Sequence, residues 1–375
     1  MVLLAQRADL DHLAGLGRHR RLTPRTGIDF SSNDYLALAG DPRLSAAVRE
    51  AIERGVAVGS GGSRLLRGND PEHERLEEAA TAFFGSDSAL FFGSGYAANV
   101  AILATLPQRG DLILHDELVH ASAHDGMRQS RAAMQAIAHN DATAFDDAIS
   151  RWRGGGGTGT PWIVVESLYS MDGDRAPLHD LADIAARHDA MLIIDEAHAT
   201  GVFGADGRGE AAALQGQDRV ITLHTLGKAL GCEGALVCGS RTVRDFLINR
   251  GRTFIFSTAP SPLMAAAACA ALEVLATDPA RIERLHALIG HAARRFASLG
   301  SAVQGTQIIP HIIGDDRRTV DVAAAVQRAG FDVRAIRPPT VAAGTARLRI
   351  TLTLHVDIAQ IDALAGAVED ILACA

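Results

Sequence analysis

Met191-Leu192-Ile193-Ile194-Asp195-Glu196-Ala197-His198 is an apolar run that ends on charge. A second such run, Arg219-Val220-Ile221-Thr222-Leu223-His224, leads into Thr225-Leu226-Gly227-Lys228-Ala229-Leu230-Gly231, where a lysine lies between glycines. Runs this short and this apolar predict strands buried on both faces, as in a parallel sheet covered by helices. Ligands of open α/β sheets bind outside the carboxyl ends of the strands. Asp195, His198 and Lys228 would then reach one edge together. A lysine that forms a Schiff base and a carboxylate that pairs with a pyridinium nitrogen are a protein's main contributions to pyridoxal-phosphate chemistry. That pairing sets the first expectation.

Outward from these two strands the pattern keeps alternating. A helix over 71–84 precedes a strand over 89–92, then glycines and a helix over 97–106. Further strands are expected at 112–115, 162–165 and 235–238. Such alternation predicts an α/β domain with a mainly parallel sheet. Residues 1–34 read as a leading helix and arm, with Leu10, Leu13 and Leu16 at helical spacing before Arg18-His19-Arg20-Arg21 and Pro24. Residues 35–270 form the expected large domain, and 271–375 a smaller α+β domain that ends in a helix over 358–372.

Composition narrows the function. The chain has 375 residues, 47% hydrophobic and 21% charged, with a formal net charge of −8. Those values suit a globular protein and argue against a nucleic-acid partner, which would favour a basic patch. Its four cysteines, Cys232, Cys238, Cys269 and Cys374, show no paired metal-ligand spacing, so no metal is expected. No apolar stretch reaches the length of a membrane span, so no membrane partner is expected and a reducing cytoplasm is the expected compartment.

Each candidate has a plainer reading beside it. An arbitrary lysine after a strand is a surface residue; here Gly227, Gly231 and Thr225 flank it, and the Thr225 hydroxyl suits a phosphate oxygen. Asp195 could be no more than a strand-end acceptor, and His198 a structural histidine. Asp195-Glu196-Ala197-His198 also spells the carboxylate box of nucleic-acid helicases. Those enzymes need a G-x-x-x-x-G-K-[ST] loop, which this chain lacks. Phe92-Gly93-Ser94-Gly95-Tyr96 runs from a strand into a helix whose first amides could hold a phosphate, although Gly-x-Gly alone marks only a tight turn. His120 follows a strand and could stack on a ring; with His115 it does not match a metal-binding helix. Ser170 is a cofactor ligand or a turn serine. Asn33 and Ser63 are ligand contacts or caps.

Together these motifs resemble the α-oxoamine synthases, a pyridoxal-phosphate family with the aspartate-aminotransferase fold (fold type I). The likeness runs from Ser31-Ser32-Asn33-Asp34-Tyr35-Leu36 through Gly59-Ser60-Gly61-Gly62-Ser63-Arg64 and Ser170-Met171-Asp172-Gly173-Asp174 to Asp195-Glu196-Ala197-His198. Arg337-Pro338-Pro339-Thr340 and the following residues to Thr351 point to the branch that makes a biotin precursor. The resemblance implies that Lys228 carries the cofactor, Asp195 pairs with its ring nitrogen, His198 meets its ring oxygen and His120 stacks on it. Gly95, Tyr96, Thr225 and Ser170 would hold cofactor oxygens. Thr258 would reach the phosphate of a neighbouring subunit in a homodimer. Arg349, a planar two-point partner, would bind the amino-acid carboxylate, with Thr340, Asn33, His120 and Arg20 also meeting substrate. Arg18 is the alternative to Arg20 in its run.

The implied reaction is a decarboxylative acyl transfer between L-alanine and a pimeloyl thioester of coenzyme A or acyl-carrier protein. A sister synthase using glycine or serine, an aminotransferase or lyase, and a non-enzymatic binding protein are the alternatives. Ala199, where the family usually has glycine, and Ala342, where proline is common, depart from the pattern.

Overall fold

The computed structural model describes residues 2–374, which fall into two compact units. The larger comprises Asp34–Ser170 and Asp174–Ile282. It is built on seven strands: β1 (Ser88–Phe92), β2 (Leu112–Asp116), β3 (Ala133–Ile137), β4 (Pro161–Glu166), β5 (Met191–Asp195), β6 (Val220–Thr225) and β7 (Ala235–Gly239). Their order across the sheet is β1-β7-β6-β5-β4-β2-β3. Strands β2 to β6 run parallel, while β7 is antiparallel to both β1 and β6. The chain is thus of the mainly parallel α/β class that its alternation predicts.

The core follows from the two-residue period of a strand. In β5, Ile193 packs into one apolar cluster while Leu192 and Ile194 pack into another on the opposite face. Fully burying such side chains contributes ~1.5–3 kcal/mol each. Helix Pro71–Phe84 starts where Asp70 accepts from the amide of Glu72, and His73 Nδ1 accepts from the amide of Asp70 at 3.1 Å. It stops at Gly85, whose φ of 74° is left-handed. Strand β3 has no counterpart in the sequence reading. It is the sheet's edge, four of its five residues are exposed, and Ala133-Met134-Gln135-Ala136-Ile137 has neither the β-branched run nor the strict alternation that marks a strand.

The smaller unit joins the described residues before Asp34, Met171–Gly173, and those from Glu283 onward. Its antiparallel sheet has the order β9-β10-β8, with β8 (Ile308–Gly314), β9 (Arg334–Ile336) and β10 (Ala346–Thr351). Helices Asp316–Arg328 and Ile358–Cys374 accompany it, and Ile28–Asp29 pairs in parallel with Phe331–Asp332. The leading helix is Leu4–Gly15; it buries no residue, and Leu10 is 49% exposed. Its leucine spacing builds a helix without building a core.

Candidate active site

The lysine sits on a closed turn between β6 and β7. Leu226 donates its amide to Gly234 at 2.9 Å, Cys232 to Leu226 at 2.8 Å and Gly231 to Lys228 at 2.9 Å. Gly231 has a φ of +64°, and a Cβ there would come within 2.2 Å of the Ala39 amide, so both backbone and space require glycine. From this turn Lys228 Nζ reaches His198 Nε2 at 2.8 Å, and His198 Nδ1 lies 2.6 Å from the hydroxyl of fully buried Tyr35.

Asp195 closes β5 with both carboxylate oxygens engaged. Oδ1 accepts from the amide of Ala197 at 2.9 Å, and Oδ2 accepts from Asn99 Nδ2 at 2.8 Å. That amide nitrogen also meets Ser122 Oγ at 3.0 Å, and Ser122 Oγ lies 2.8 Å from His120 Nδ1. His120 caps helix Ala121–Arg128. Burial holds its pKa below the usual histidine value; Asp195 pulls the other way and Lys228 adds to the depression.

Helix Gly95–Thr105 begins after β1. Ser94 accepts from the amide of Ala97 at 3.1 Å, and the amides of Gly95 and Tyr96 lie in the first turn, where helix geometry offers no acceptor. A Cβ on Gly95 would lie 3.8 Å from Thr225 Oγ1, so this helix start and that hydroxyl border the same small space. The Tyr96 hydroxyl donates to Asp125. Ser170 follows β4 through Ser167, whose amide donates to the Asp195 carbonyl at 3.0 Å. Thr258 is exposed on the segment joined to Gly62 through the Ala259 amide at 2.9 Å.

Buried ionisable groups surround the strand ends. Glu166, beside Asp195 in the register of β4 and β5, is raised well above an ordinary carboxyl by burial and by the charge of Asp195. Glu196 is raised to about 7 by burial, against hydrogen bonds from Ser167 and the amides of Ala211 and Glu210. His139 joins Asp116 at 2.9 Å to Asp174 at 2.6 Å. Burial alone would depress this imidazole, but the two carboxylates outweigh it and lift it to about 10.

In the smaller unit, Arg349 on β10 is 7% exposed. Its guanidinium donates to Asn33 Oδ1 through both terminal nitrogens at 3.2 Å and to Thr351 Oγ1 at 2.9 Å. Arg20 and Thr340 both line a cavity of about 880 Å³ with Leu10, Leu13 and Arg18. Arg18 is tied to Asp316 at 2.5 Å, whereas Arg20 is exposed.

The model of the aminotransferase class I and II family matches residues 25–368. The chain belongs to this family. A curated 8-amino-7-oxononanoate synthase of Anaeromyxobacter dehalogenans is 42% identical, over 97% of this chain and 94% of its own. One from Chromobacterium violaceum is 44% identical over 91% and 88%. Among solved structures, a serine palmitoyltransferase of Sphingomonas wittichii has a TM-score of 0.90 at 25% identity, covering 100% of this chain and 99% of that one. An 8-amino-7-oxononanoate synthase of Francisella tularensis has a TM-score of 0.78 at 26%, covering 93% and 98%. A serine palmitoyltransferase with bound PLP–myriocin aldimine has a TM-score of 0.90 at 27%, covering 100% and 99%.

This family member is a pyridoxal-phosphate-dependent acyltransferase of the 8-amino-7-oxononanoate synthase type. Its residues fit the cofactor on three counts. An amine and an imidazole meet at one edge, a fixed carboxylate ends the neighbouring strand, and a helix start beside Thr225 suits a phosphate. Sequence reasoning gave no role to Tyr35, Asn99 or Ser122. Asn99 did carry a signal, being the polar residue within the apolar stretch Ala97-Ala98-Asn99-Val100-Ala101-Ile102-Leu103.

Proposed function

We propose that the chain joins L-alanine to a pimeloyl thioester, of coenzyme A or acyl-carrier protein, giving 8-amino-7-oxononanoate, carbon dioxide and the free thiol in biotin biosynthesis. The observation that carries this reading is the 42–44% identity to 8-amino-7-oxononanoate synthases along nearly the whole chain. The serine palmitoyltransferase neighbours share the fold at 25–27% identity, so serine is the less supported amino acid.

Bound pyridoxal phosphate supplies an electron sink for the carbanion formed at the amino-acid Cα. Lys228 holds the cofactor at rest, and its amine then takes the Cα proton as general base. His198, 2.8 Å away, accepts or returns hydrogen at that amine and is set in orientation by Tyr35. Asp195 keeps a proton on the ring nitrogen, and Asn99 with the Ala197 amide keeps Asp195 in place. His120 covers the ring face. Gly95, Tyr96, Thr225 and Ser170 hold cofactor oxygens. Arg349 takes the alanine carboxylate as a fork, in exchange for its bonds to Asn33. Arg20 and Thr340 meet the acyl substrate in the cavity they share.

The Cα–carbonyl bond forms as the carbon–sulfur bond breaks, and the thiolate takes a proton from solvent. Loss of the carboxylate as carbon dioxide is followed by return of the Lys228 proton to Cα.

A homodimer is part of the proposal, with Thr258 turned to the partner's phosphate. Phe256, 71% exposed two positions before Thr258, supports a second copy covering that segment. The four cysteines are all free, which supports a reducing, cytoplasmic setting. A panel of alanine, glycine and serine against pimeloyl and longer acyl thioesters, with product mass as readout, tests the proposal. Turnover with serine or glycine in preference to alanine overturns it.

A further inference from the structure

The chain of hydrogen bonds from Asp195 to His120 has a direction, set at one end by the Asp195 carboxylate and at the other by the Ser122 amide. Asp195 Oδ2 accepts, so Asn99 must turn its NH2 group toward it at 2.8 Å. The same nitrogen has only hydrogens to offer, so Ser122 Oγ accepts from it at 3.0 Å. A hydroxyl that accepts from Asn99 can still donate or accept at its second contact, 2.8 Å away at His120 Nδ1, so the neighbouring backbone amide, which can only donate, decides between the two. The Ser122 amide points at the same nitrogen from 3.3 Å. With two donors converging on it, Nδ1 has no room for a proton of its own.

We infer that Ser122 and Asn99 are positioning residues that lock His120 as the neutral tautomer protonated on Nε2. The ring then offers the reacting side an uncharged face and a fixed hydrogen-bond donor, and takes no part in proton transfer. This rests on the proposed placement of His120 over the cofactor, and it assigns proton transfer to Lys228 and His198 alone. The groups that face the ring are Asp195 and Lys228, with Glu166 beside its backbone amide and His124 one turn along. Protonating Nδ1 would break the bond from Ser122 and set two donors against each other, a cost that adds to burial.

The test is NMR of the cofactor-free enzyme carrying 15N-labelled histidine, with the His120 signals assigned by their loss in His120→Gln. Nδ1 is expected as an unprotonated nitrogen and Nε2 as N–H, with the ring titrating below a free histidine. In Ser122→Ala both tautomers become populated and the His120 midpoint rises by about one pH unit. The loaded variant then gains an acidic limb in its kcat–pH profile. Ser122→Thr, which keeps the hydroxyl, restores the wild-type pattern. A proton on Nδ1 in the wild type, or an unchanged tautomer in Ser122→Ala, overturns the inference. A locked His120 in an enzyme that does not turn over alanine and pimeloyl thioester would leave the lock standing and remove the proposed function instead.

Discussion

Lys228 Nζ stands 2.8 Å from His198 Nε2, and the other nitrogen of that ring is held by the Tyr35 hydroxyl at 2.6 Å. The amine proposed as base therefore has a partner that can hold hydrogen and is itself steered from below. Tyr35→Phe removes only the steering. The expected loss in kcat is ~10–100-fold, the size of one buried hydrogen bond felt in a transition state. Steady-state rates across pH check it, and a variant within twofold of wild type at every pH denies Tyr35 a role.

Lys228→Ala should abolish turnover while leaving the melting temperature within a few degrees, since the backbone bonds that close its turn do not involve the side chain. Borohydride reduction and peptide mass mapping of the wild type should place the cofactor on residue 228. Finding it on another lysine would displace the whole site.

Asp195→Asn exchanges a carboxylate for an amide that must face the Asn99 NH2 group and the Ala197 amide. Hydrogen bonds to a charged, part-buried acceptor of this kind are worth ~1.5–3 kcal/mol each. The predicted outcome is a fall in kcat/KM of at least ~100-fold. Cofactor titration by absorbance separates weakened binding from lost chemistry.

Arg349→Lys keeps the charge and loses the fork. KM for alanine should rise ~10-fold or more with a smaller change in kcat, because the two-point geometry is lost. An unchanged KM would remove Arg349 from the substrate site.

His139 makes stability depend on pH. Its folded value of about 10 lies above the ~6.5 of an unfolded histidine, so its contribution is complete below about pH 6.5. That contribution fades as pH rises toward 10. His139→Gln should cost ~2–4 kcal/mol near pH 6 and progressively less by pH 10, with denaturant midpoints as the readout. A gap between wild type and variant that stays constant across this range would contradict the Asp116–His139–Asp174 bridge.

Strand ends were the legible part of this molecule. An apolar run that stops on Asp195, or on Thr225 and Lys228, announces both a buried strand and the edge where its polar residues emerge. The edge strand Ala133–Ile137 was not legible, because its alanines and methionine fit a helix as well as a strand and carry no period-two alternation. Tyr35, Asn99 and Ser122 were hidden for another reason. Tyr35 and Asn99 gain their meaning from His198 and Asp195, 163 and 96 positions away, and Ser122, two positions from His120, gains its own only by joining that ring to Asn99, 23 positions off. The leucines of the first helix mark the opposite case, a pattern that is local and regular without burying anything.

The closed turn between β6 and β7 limits what the lysine can do. Its backbone is pinned at Leu226, Cys232 and Gly234 and seated against Ala39. Any travel of the amine must come from rotation about its own methylene bonds. A swinging arm on a fixed pivot sweeps a small arc, so one nitrogen can serve as tether and as base without the loop opening between the two duties.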